Sequence, residues 1–117
     1  MPWIDLVTPS AVSKGSQEKI KAGFASILTE VIQKEERGLI VTFRSTQGFY
    51  QAGEATDKSA VVDVRYIGTF PADKKREITK KISTLLAKEL KADPEKIYIP
   101  FSEIANETWG RRGGDYS

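Results

Sequence analysis

Few groups in this sequence could move a proton near neutral pH. Its 117 residues include no histidine and no cysteine. This composition excludes Ser-His-Asp triads, thiol chemistry, disulfides and most transition-metal sites. Acid–base chemistry would therefore need a perturbed carboxylate, lysine or tyrosine, or the amine at the start of the chain.

The start of the chain supplies such an amine. Pro2 follows Met1, and an initiator methionine is usually removed before so small a residue, so we expect Pro2 to carry a free secondary amine. An α-amino group has a reference pKa of about 7.7–8.0, and burial in apolar surroundings would lower it. A neutral amine in a rigid ring is a competent general base, although many proteins begin with this dipeptide without catalytic use. Pro2 is therefore the candidate catalytic residue.

The composition is that of one soluble globular domain, which we expect to span residues 1–117. Hydrophobic residues make up 39% of the chain and charged residues 29%, as in ordinary compact proteins. The net charge of +2 gives no reason to expect nucleic acid or a membrane as a partner. The sequence shows neither a membrane-spanning apolar run nor the core of a signal peptide. We expect a cytoplasmic protein that uses no metal and no other cofactor.

Two amphipathic helices and their flanking strands are repeated at an offset of 58 residues. Ser16 can cap the first helix and Asp73 the second. At this offset, the apolar stripe Ile20, Phe24, Ile27, Leu28 and Ile32 corresponds to the stripe Ile78, Ile82, Leu85, Leu86 and Leu90. The same offset relates the strand-like residues 4–6 to 62–64 and 39–43 to 97–101. We interpret the chain as an internal repeat of residues 2–58 and 60–116.

Each repeat predicts a parallel βαβ unit with a right-handed crossover. Two such units predict an α+β fold in which a duplicated βαβ unit forms a four-stranded mixed sheet with two helices on one face. The first strand contains Trp3, Ile4, Leu6 and Val7, so we expect the uncovered face of the sheet to be apolar as well. An uncovered apolar face is typical of an interface, which predicts an oligomer with its sheets packed face to face.

The layout and several motifs resemble the tautomerase superfamily. The amino-terminal Pro2, the doubled βαβ pattern and residues 97–114 carry the resemblance. Residues 103–114 resemble the end of 4-oxalocrotonate tautomerase, whereas residues 66–68 and 97–99 resemble macrophage migration inhibitory factor. The resemblance implies a homotrimer whose three sheets form a central barrel, with active sites at the subunit boundaries. It also implies keto–enol tautomerisation of a small anionic acid, such as an aryl pyruvate or a 2-hydroxymuconate-like compound, with the proline as base.

The resemblance implies substrate-binding roles for residues at matching positions. Lys34 matches the lysine that holds the substrate carboxylate in the cytokine-like group, and Ile67 matches a position whose backbone contacts ligand. Tyr98 matches a pocket tyrosine, and Trp109 matches the aromatic pocket wall of 4-oxalocrotonate tautomerase. Arg44, on a strand, could bind an anion at a neighbouring chain's catalytic proline in a trimer. Lys34 and Arg44 have a structural alternative as solvated surface residues, and Ile67 as a core residue at a strand end.

Departures from the family pattern leave the substrate open. Pro100 replaces an asparagine of the cytokine-like group, and the approach to the first helix lacks the arginine of 4-oxalocrotonate tautomerase. The alternatives are a proline-dependent decarboxylase, hydratase or dehalogenase, and a trimeric binding protein without activity. The roles of Arg65, Arg111 and Arg112 also stay open. An RNA-recognition motif shares the order of elements, but its stacking aromatics are missing from the candidate strand at 60–66.

Overall fold

A computed structural model describes residues 2–117, so the expected removal of Met1 concerns a residue outside the described range. Two long helices and nine strands form the fold within that range. The helices are α1 (Lys14–Ile32) and α2 (Ala72–Leu90), and the strands are β1 (Pro2–Thr8), β2 (Ile40–Ser45), β3 (Tyr50–Gln51), β4 (Glu54–Ala55), β5 (Ala60–Ile67), β6 (Ile97–Tyr98), β7 (Phe101–Ile104), β8 (Gly110–Arg111) and β9 (Gly114–Asp115). Short 3-10 turns occupy Glu36–Gly38, Pro94–Lys96 and Asn106–Thr108.

The duplicated βαβ architecture is confirmed. Both helices contain 19 residues and begin 58 positions apart, and each is followed by a residue in the left-handed conformation, Gln33 at φ 53° and Lys91 at φ 58°. The helices lie on the same side of a mixed sheet in which β1 runs parallel to β2 and antiparallel to β5. β5 in turn runs parallel to β6 and β7. The predicted α+β fold class therefore holds.

The last strand of the sheet is divided, where the sequence alternation predicted one strand through residues 97–101. β6 and β7 both pair with β5, and Pro100 lies between them. A proline has no backbone N–H for the strand ladder. Its carbonyl still accepts a hydrogen bond from the Val64 N–H at 3.0 Å. The strand is therefore interrupted without leaving the edge of the sheet.

Both predicted helix caps were wrong. Ser13 caps α1, because it keeps an extended conformation and its Oγ accepts a hydrogen bond from the Ser16 N–H at 3.2 Å. Ser16 is thus already inside the first turn. α2 begins directly after Pro71, whose fixed φ suits a helix start, and Asp73 lies in its first turn. A carboxylate there still interacts favourably with the helix dipole, although it accepts no capping hydrogen bond.

The hydrophobic core lies between the sheet and the two helices. Alternate residues of β1 and β5 face the helices and are fully buried, as are the predicted stripe positions that lie closest to the sheet. The largest of these side chains are Ile4, Leu6, Val62, Val64, Tyr66, Ile20, Phe24, Leu28, Ile78, Ile82 and Leu86. None of the helices among the described residues is long and apolar enough to cross a membrane.

The uncovered face of the sheet is less apolar than we expected. Strand alternation places Trp3 and Val7 on it, but also Asp5, which is only 7% exposed. The Trp3 Nε1–H donates to Thr42 Oγ1 at 3.0 Å, and that hydroxyl donates to Asp5 Oδ1 at 2.5 Å. Arg44 Nε donates to Asp5 Oδ2 at 3.3 Å. The uncovered face therefore carries apolar residues, as expected, but β1 also places a carboxylate among them.

The second carboxylate of this face lies directly opposite the first. Asp63 on β5 pairs with Asp5 on β1, an arrangement of like charges that is unfavourable unless cations compensate. The Arg65 guanidinium offsets the charge of Asp63 through an ion pair at 2.6 Å. The Arg65 Cζ also lies 4.3 Å from the centroid of the Trp3 ring. Arg65 is therefore part of a polar network and not a free surface side chain.

Candidate active site

Pro2 lies where the ends of four strands meet. It is buried at the start of β1 and sits directly opposite Tyr66 near the end of β5. The neighbouring Trp3 pairs with Ile40 at the start of β2, and β7 ends beside the end of β5. We call this region, formed by the starts of β1 and β2 and the ends of β5 and β7, the proline end of the sheet.

An aromatic pair connects Lys34 with the proline end. Tyr66 is fully buried, and its ring centroid lies 4.9 Å from that of Phe70. The Lys34 Nζ lies 5.7 Å from the centroid of the Phe70 ring. Lys34 follows the left-handed end of α1, which directs the chain back towards β2. The structure therefore brings Lys34 and Pro2 to the same end of the sheet.

Glu103 anchors this aromatic pair. Its Oε2 accepts hydrogen bonds from the Tyr66 hydroxyl at 2.9 Å and the Phe70 N–H at 2.9 Å, and pairs with Lys75 Nζ at 3.1 Å. The Phe70 N–H, followed by Lys75 and Tyr66, holds the pKa of the Glu103 carboxyl below its ordinary value. Burial, followed by the hydrogen bond to Glu103, raises the pKa of Tyr66 well above its usual range. At neutral pH the pair is thus a carboxylate and a neutral phenol.

The sequence interpretation did not single out Glu103, Tyr66, Phe70 or Lys75 as site residues. Glu103 is separated from its partners by long stretches of chain, for example by 37 positions from Tyr66. The available signal was strand alternation, since Tyr66 and Glu103 pair one position before the ends of the two adjacent strands. That signal places the two residues side by side but does not reveal the bond to Phe70.

Ile67 also lies at the proline end. It is the last residue of β5, is half-buried, and pairs with Ile104 at the end of β7. It follows Tyr66, so it faces the opposite side of the sheet. Ile67 is thus placed beside Pro2 in the strand order, on the uncovered face.

Tyr98 and Arg44 lie at the other end of the same sheet. Tyr98 on β6 pairs with Val61 on β5, and Val61 pairs with Val7 on β1. Val7 lies five positions along β1 from Pro2. At about 3.3 Å per strand residue, this separation is roughly 17 Å. Arg44 on β2 pairs with the other side of Val7, and its side chain forms an ion pair with Asp5. One chain therefore does not bring these two residues to its own proline.

Tyr98 belongs to an exposed aromatic surface. It is 59% exposed, and Tyr50 of the β3–β4 hairpin is 72% exposed. The two side chains line a surface cavity of about 290 Å³, together with Phe49, Gln51, Ala60, Val61 and Lys96. A large exposed aromatic surface is typical of a contact region.

Trp109 lies at the start of an ordered carboxy-terminal hairpin formed by β8 and β9. Its ring meets that of Tyr116 edge-to-face, with centroids 6.4 Å apart. The Arg111 Cζ lies 4.3 Å from the Tyr116 ring centroid, and the Tyr116 N–H donates to the Asn106 carbonyl at 3.1 Å. The turn has positive φ at Arg112 (50°) and at the following glycine (76°), as a two-residue hairpin requires. The segment is thus a structured hairpin and not a flexible tail.

Comparisons with known proteins place the chain in a family. The family model described as macrophage migration inhibitory factor (MIF) matches residues 1–116. A comparison with curated proteins gives no match. Among solved structures, Leishmania major MIF2 is similar with a TM-score of 0.88 and 20% identity, over 99% of this chain and 97% of that one.

Two further solved structures come from other branches of the superfamily. A fused 4-OT, a wild-type asymmetric trimer, is similar with a TM-score of 0.86 and 14% identity over 97% of this chain and 95% of that one. A member of the cis-3-chloroacrylic acid dehalogenase (cis-CaaD) family has a TM-score of 0.84 and 15% identity, over 98% and 83% of the two chains. These identities are low, so the structures establish the fold, whereas the family model covers nearly the whole sequence. The chain therefore belongs to the macrophage migration inhibitory factor family, within the tautomerase superfamily.

Proposed function

We propose that this protein is a keto–enol tautomerase in which Pro2, freed by removal of Met1, is the general base. The substrate class is a small anionic keto or enol acid, such as an aryl pyruvate or a 2-hydroxymuconate-like compound. The observation that carries the proposal is the position of Pro2, which is buried at an end of the sheet that Lys34 also reaches through Phe70. Membership of the family supports it.

The chemistry needs one proton and one base. The uncharged Pro2 nitrogen takes the proton from the enol oxygen, which leaves an enolate and a prolinium cation; the cation then returns that proton to the α-carbon. The reverse order converts the ketone to the enol. Burial favours the uncharged amine that the first step requires. The Lys34 ammonium would bind the substrate carboxylate and offset the charge of the enolate.

The proposal includes a homotrimer whose sheets form a barrel, with each active site at a subunit boundary. Tyr98 and Arg44 lie roughly 17 Å from Pro2 along the strands of their own chain, so they would serve the proline of a neighbour. The exposed aromatic surface of Tyr98 and Tyr50 fits such a contact. The similar fused 4-OT is itself an asymmetric trimer. Trp109 and Ile67 would complete the walls of the pocket.

A proline-dependent decarboxylase, hydratase or dehalogenase is the second candidate. The similarity to a member of the cis-3-chloroacrylic acid dehalogenase family favours keeping it. In these reactions the proline would act as a cation that activates water, or that stabilises and protonates the enolate left when a β-keto acid loses carbon dioxide. Halide or carbon dioxide release, measured against enol-to-keto conversion, separates the two candidates, and the absence of every turnover would leave a trimeric binding protein.

Replacing the proposed base gives the first test. Pro2→Ala keeps an α-amino group but loses the ring that holds its lone pair in one direction, so we expect a lower kcat/KM for phenylpyruvate tautomerisation, by at most the about 10²–10⁴-fold that a positioned base contributes. Pro9→Ala, in the loop directly after β1, is the matched control and should retain activity. Intact mass spectrometry of the wild type and of both variants establishes whether Met1 has been removed. Unchanged tautomerisation by Pro2→Ala would rule out Pro2 as the base.

A further inference from the structure

We propose that Glu103 is a positioning residue for the active site, because it fixes the aromatic platform on which Lys34 meets the substrate carboxylate. This inference rests on the proposed function for its catalytic part. Its structural part, the fixing of Phe70 and Tyr66, stands independently of any activity.

One oxygen atom joins three segments of the chain. Glu103 Oε2 accepts from the Tyr66 hydroxyl of β5, from the Phe70 N–H of the β5–α2 loop, and from Lys75 on α2. The three distances are 2.9, 2.9 and 3.1 Å. Hydrogen bonds to an ionised acceptor are stronger than those between neutral groups. The carboxylate is therefore the common anchor of the strand end, the loop and the helix start.

The loop between β5 and α2 is fixed at two points. The Gly68 N–H donates to the Ile104 carbonyl at 3.1 Å, and the Phe70 N–H donates to Glu103. Gly68 has φ +101°, which only glycine adopts without strain, so the chain can turn sharply at the strand end. Loss of Glu103 would leave the turn at Gly68 and release the loop beyond it, including Phe70.

Phe70 connects this anchor with Lys34. Its ring packs against Tyr66 on one side, and the Lys34 ammonium lies 5.7 Å from its centroid. The backbone of Lys34 is held separately, since its N–H donates to the Leu28 carbonyl at 3.1 Å. Movement of Phe70 would therefore alter the position of the ammonium while α1 keeps its end. Glu103 acts on the substrate carboxylate through Phe70 and Lys34, and does not touch the substrate.

Lys75 neutralises the Glu103 carboxylate, which would otherwise compete with the substrate for the Lys34 ammonium. Among residues 2–117, the ion pair that Glu103 forms is with Lys75, whose side chain is 29% exposed. The Lys34 ammonium lies against an aromatic face instead. A carboxylate that is already neutralised competes less for the cation that should bind substrate.

The kinetic test compares a charged substrate with an uncharged analogue. Phenylpyruvate carries the carboxylate, and its methyl ester does not. For Glu103→Ala we expect KM to rise about tenfold for the acid, with little change in KM for the ester or in kcat, as for loss of a binding contact. Glu103→Gln keeps an acceptor for Phe70 and Tyr66, so it should largely rescue KM. The exposed Glu107→Ala is the matched control.

A double-mutant comparison separates positioning from general destabilisation. In a Lys34→Ala background, Glu103→Ala should raise KM for the acid no further, because the two residues act through one contact. Equal losses for acid and ester, or additive losses with Lys34→Ala, would overturn the proposal. Should Glu103→Ala not fold, Phe70→Leu tests the same connection, since it removes the ring and keeps the anchor.

A measurement without substrate tests the structural part. Glu103→Ala should increase hydrogen exchange of the Phe70 amide, measured by NMR. Unchanged exchange of this amide would contradict the proposal even if activity fell. Conversely, if Pro2→Ala left tautomerisation unchanged but Phe70 lost protection in Glu103→Ala, the proposed function would fail while the anchor stood.

Discussion

At the scale of single residues, the proposed function depends on a buried proline and on a carboxylate that is held by three hydrogen-bonding partners. Composition indicated Pro2 as the candidate base, because a chain without histidine leaves few bases to choose from. Glu103 could not be found in this way, since its importance comes from partners on β5, the following loop and α2. A single sequence shows which side chains can do chemistry, but not which long-range hydrogen bonds hold them in place.

The lowered pKa of Glu103 predicts a pH dependence of stability. Because the folded-state pKa lies below the ordinary value of 4.5, the contribution of the carboxylate is complete above about pH 4.5 and is lost as pH falls through the lower folded-state value. The difference in free energy of unfolding between the wild type and Glu103→Gln should thus be constant from pH 5 to 7 and shrink below about pH 4.5. Urea unfolding at a series of pH values measures it, and a difference that grew on acidification would contradict the assignment.

At the scale of elements, the repeat at 58 residues predicted both helices and their inward faces. The repeat did not predict where each element begins and ends, because single residues determine those boundaries. Ser13 displaced Ser16 as the cap because it is the last extended residue before α1, and Pro100 divided the final strand. The β3–β4 and β8–β9 hairpins have no counterpart among the strands that the sequence predicted. Periodicity predicts the faces of elements, whereas caps and turns depend on local backbone geometry.

The contact between the two helices gives a prediction at this scale. A Cβ added at Gly23 would lie 2.6 Å from Leu85 Cδ2, whereas one added at Gly15 meets nothing within 4 Å. Both changes to alanine gain up to about 1 kcal/mol of helix propensity, but overpacking costs about 1–3 kcal/mol. Gly15→Ala should therefore stabilise the protein, and Gly23→Ala should be less stable than Gly15→Ala because the Leu85 side chain must move to make room.

Thermal and urea unfolding of these variants measure the difference. In a Leu85→Ala background the clash is absent, so Gly23→Ala should become neutral or stabilising relative to that background. If Gly23→Ala were as stabilising as Gly15→Ala in the otherwise unchanged chain, the close helix contact would not constrain the fold.

At the scale of the whole molecule, the candidate site residues lie at two opposite ends of the sheet. Pro2 and Lys34 gather at one end, and Tyr98 and Arg44 at the other. The sequence resemblance predicted a trimer. In a trimer, residues that lie far apart in one chain could meet across a subunit boundary. The uncovered face carries the Asp5–Asp63 pair with its arginines, so an assembled barrel would have a partly charged lining. The cytoplasmic location stays a prediction.

Subunit mixing tests the shared site. Pro2→Ala and Tyr98→Ala proteins should each have low activity, and a mixture after subunit exchange should recover activity. In a closed ring assembled at random, about a quarter of the sites would combine an intact proline with a neighbour's intact tyrosine. Native mass spectrometry should show three copies of the 13.0 kDa chain. No recovery despite exchange would mean that Tyr98 does not serve the neighbour's proline.

Titration of the Pro2 nitrogen itself tests the central claim most directly. Protein labelled with ¹⁵N-proline can be titrated by NMR while kcat/KM is measured over the same pH range. We predict an imino nitrogen that titrates below the reference range of about 7.7–8.0, with kcat/KM rising through the same pKa because the uncharged form is the base. A Pro2 nitrogen that does not titrate in an active protein, or activity that rises as the amine becomes protonated, would contradict the account.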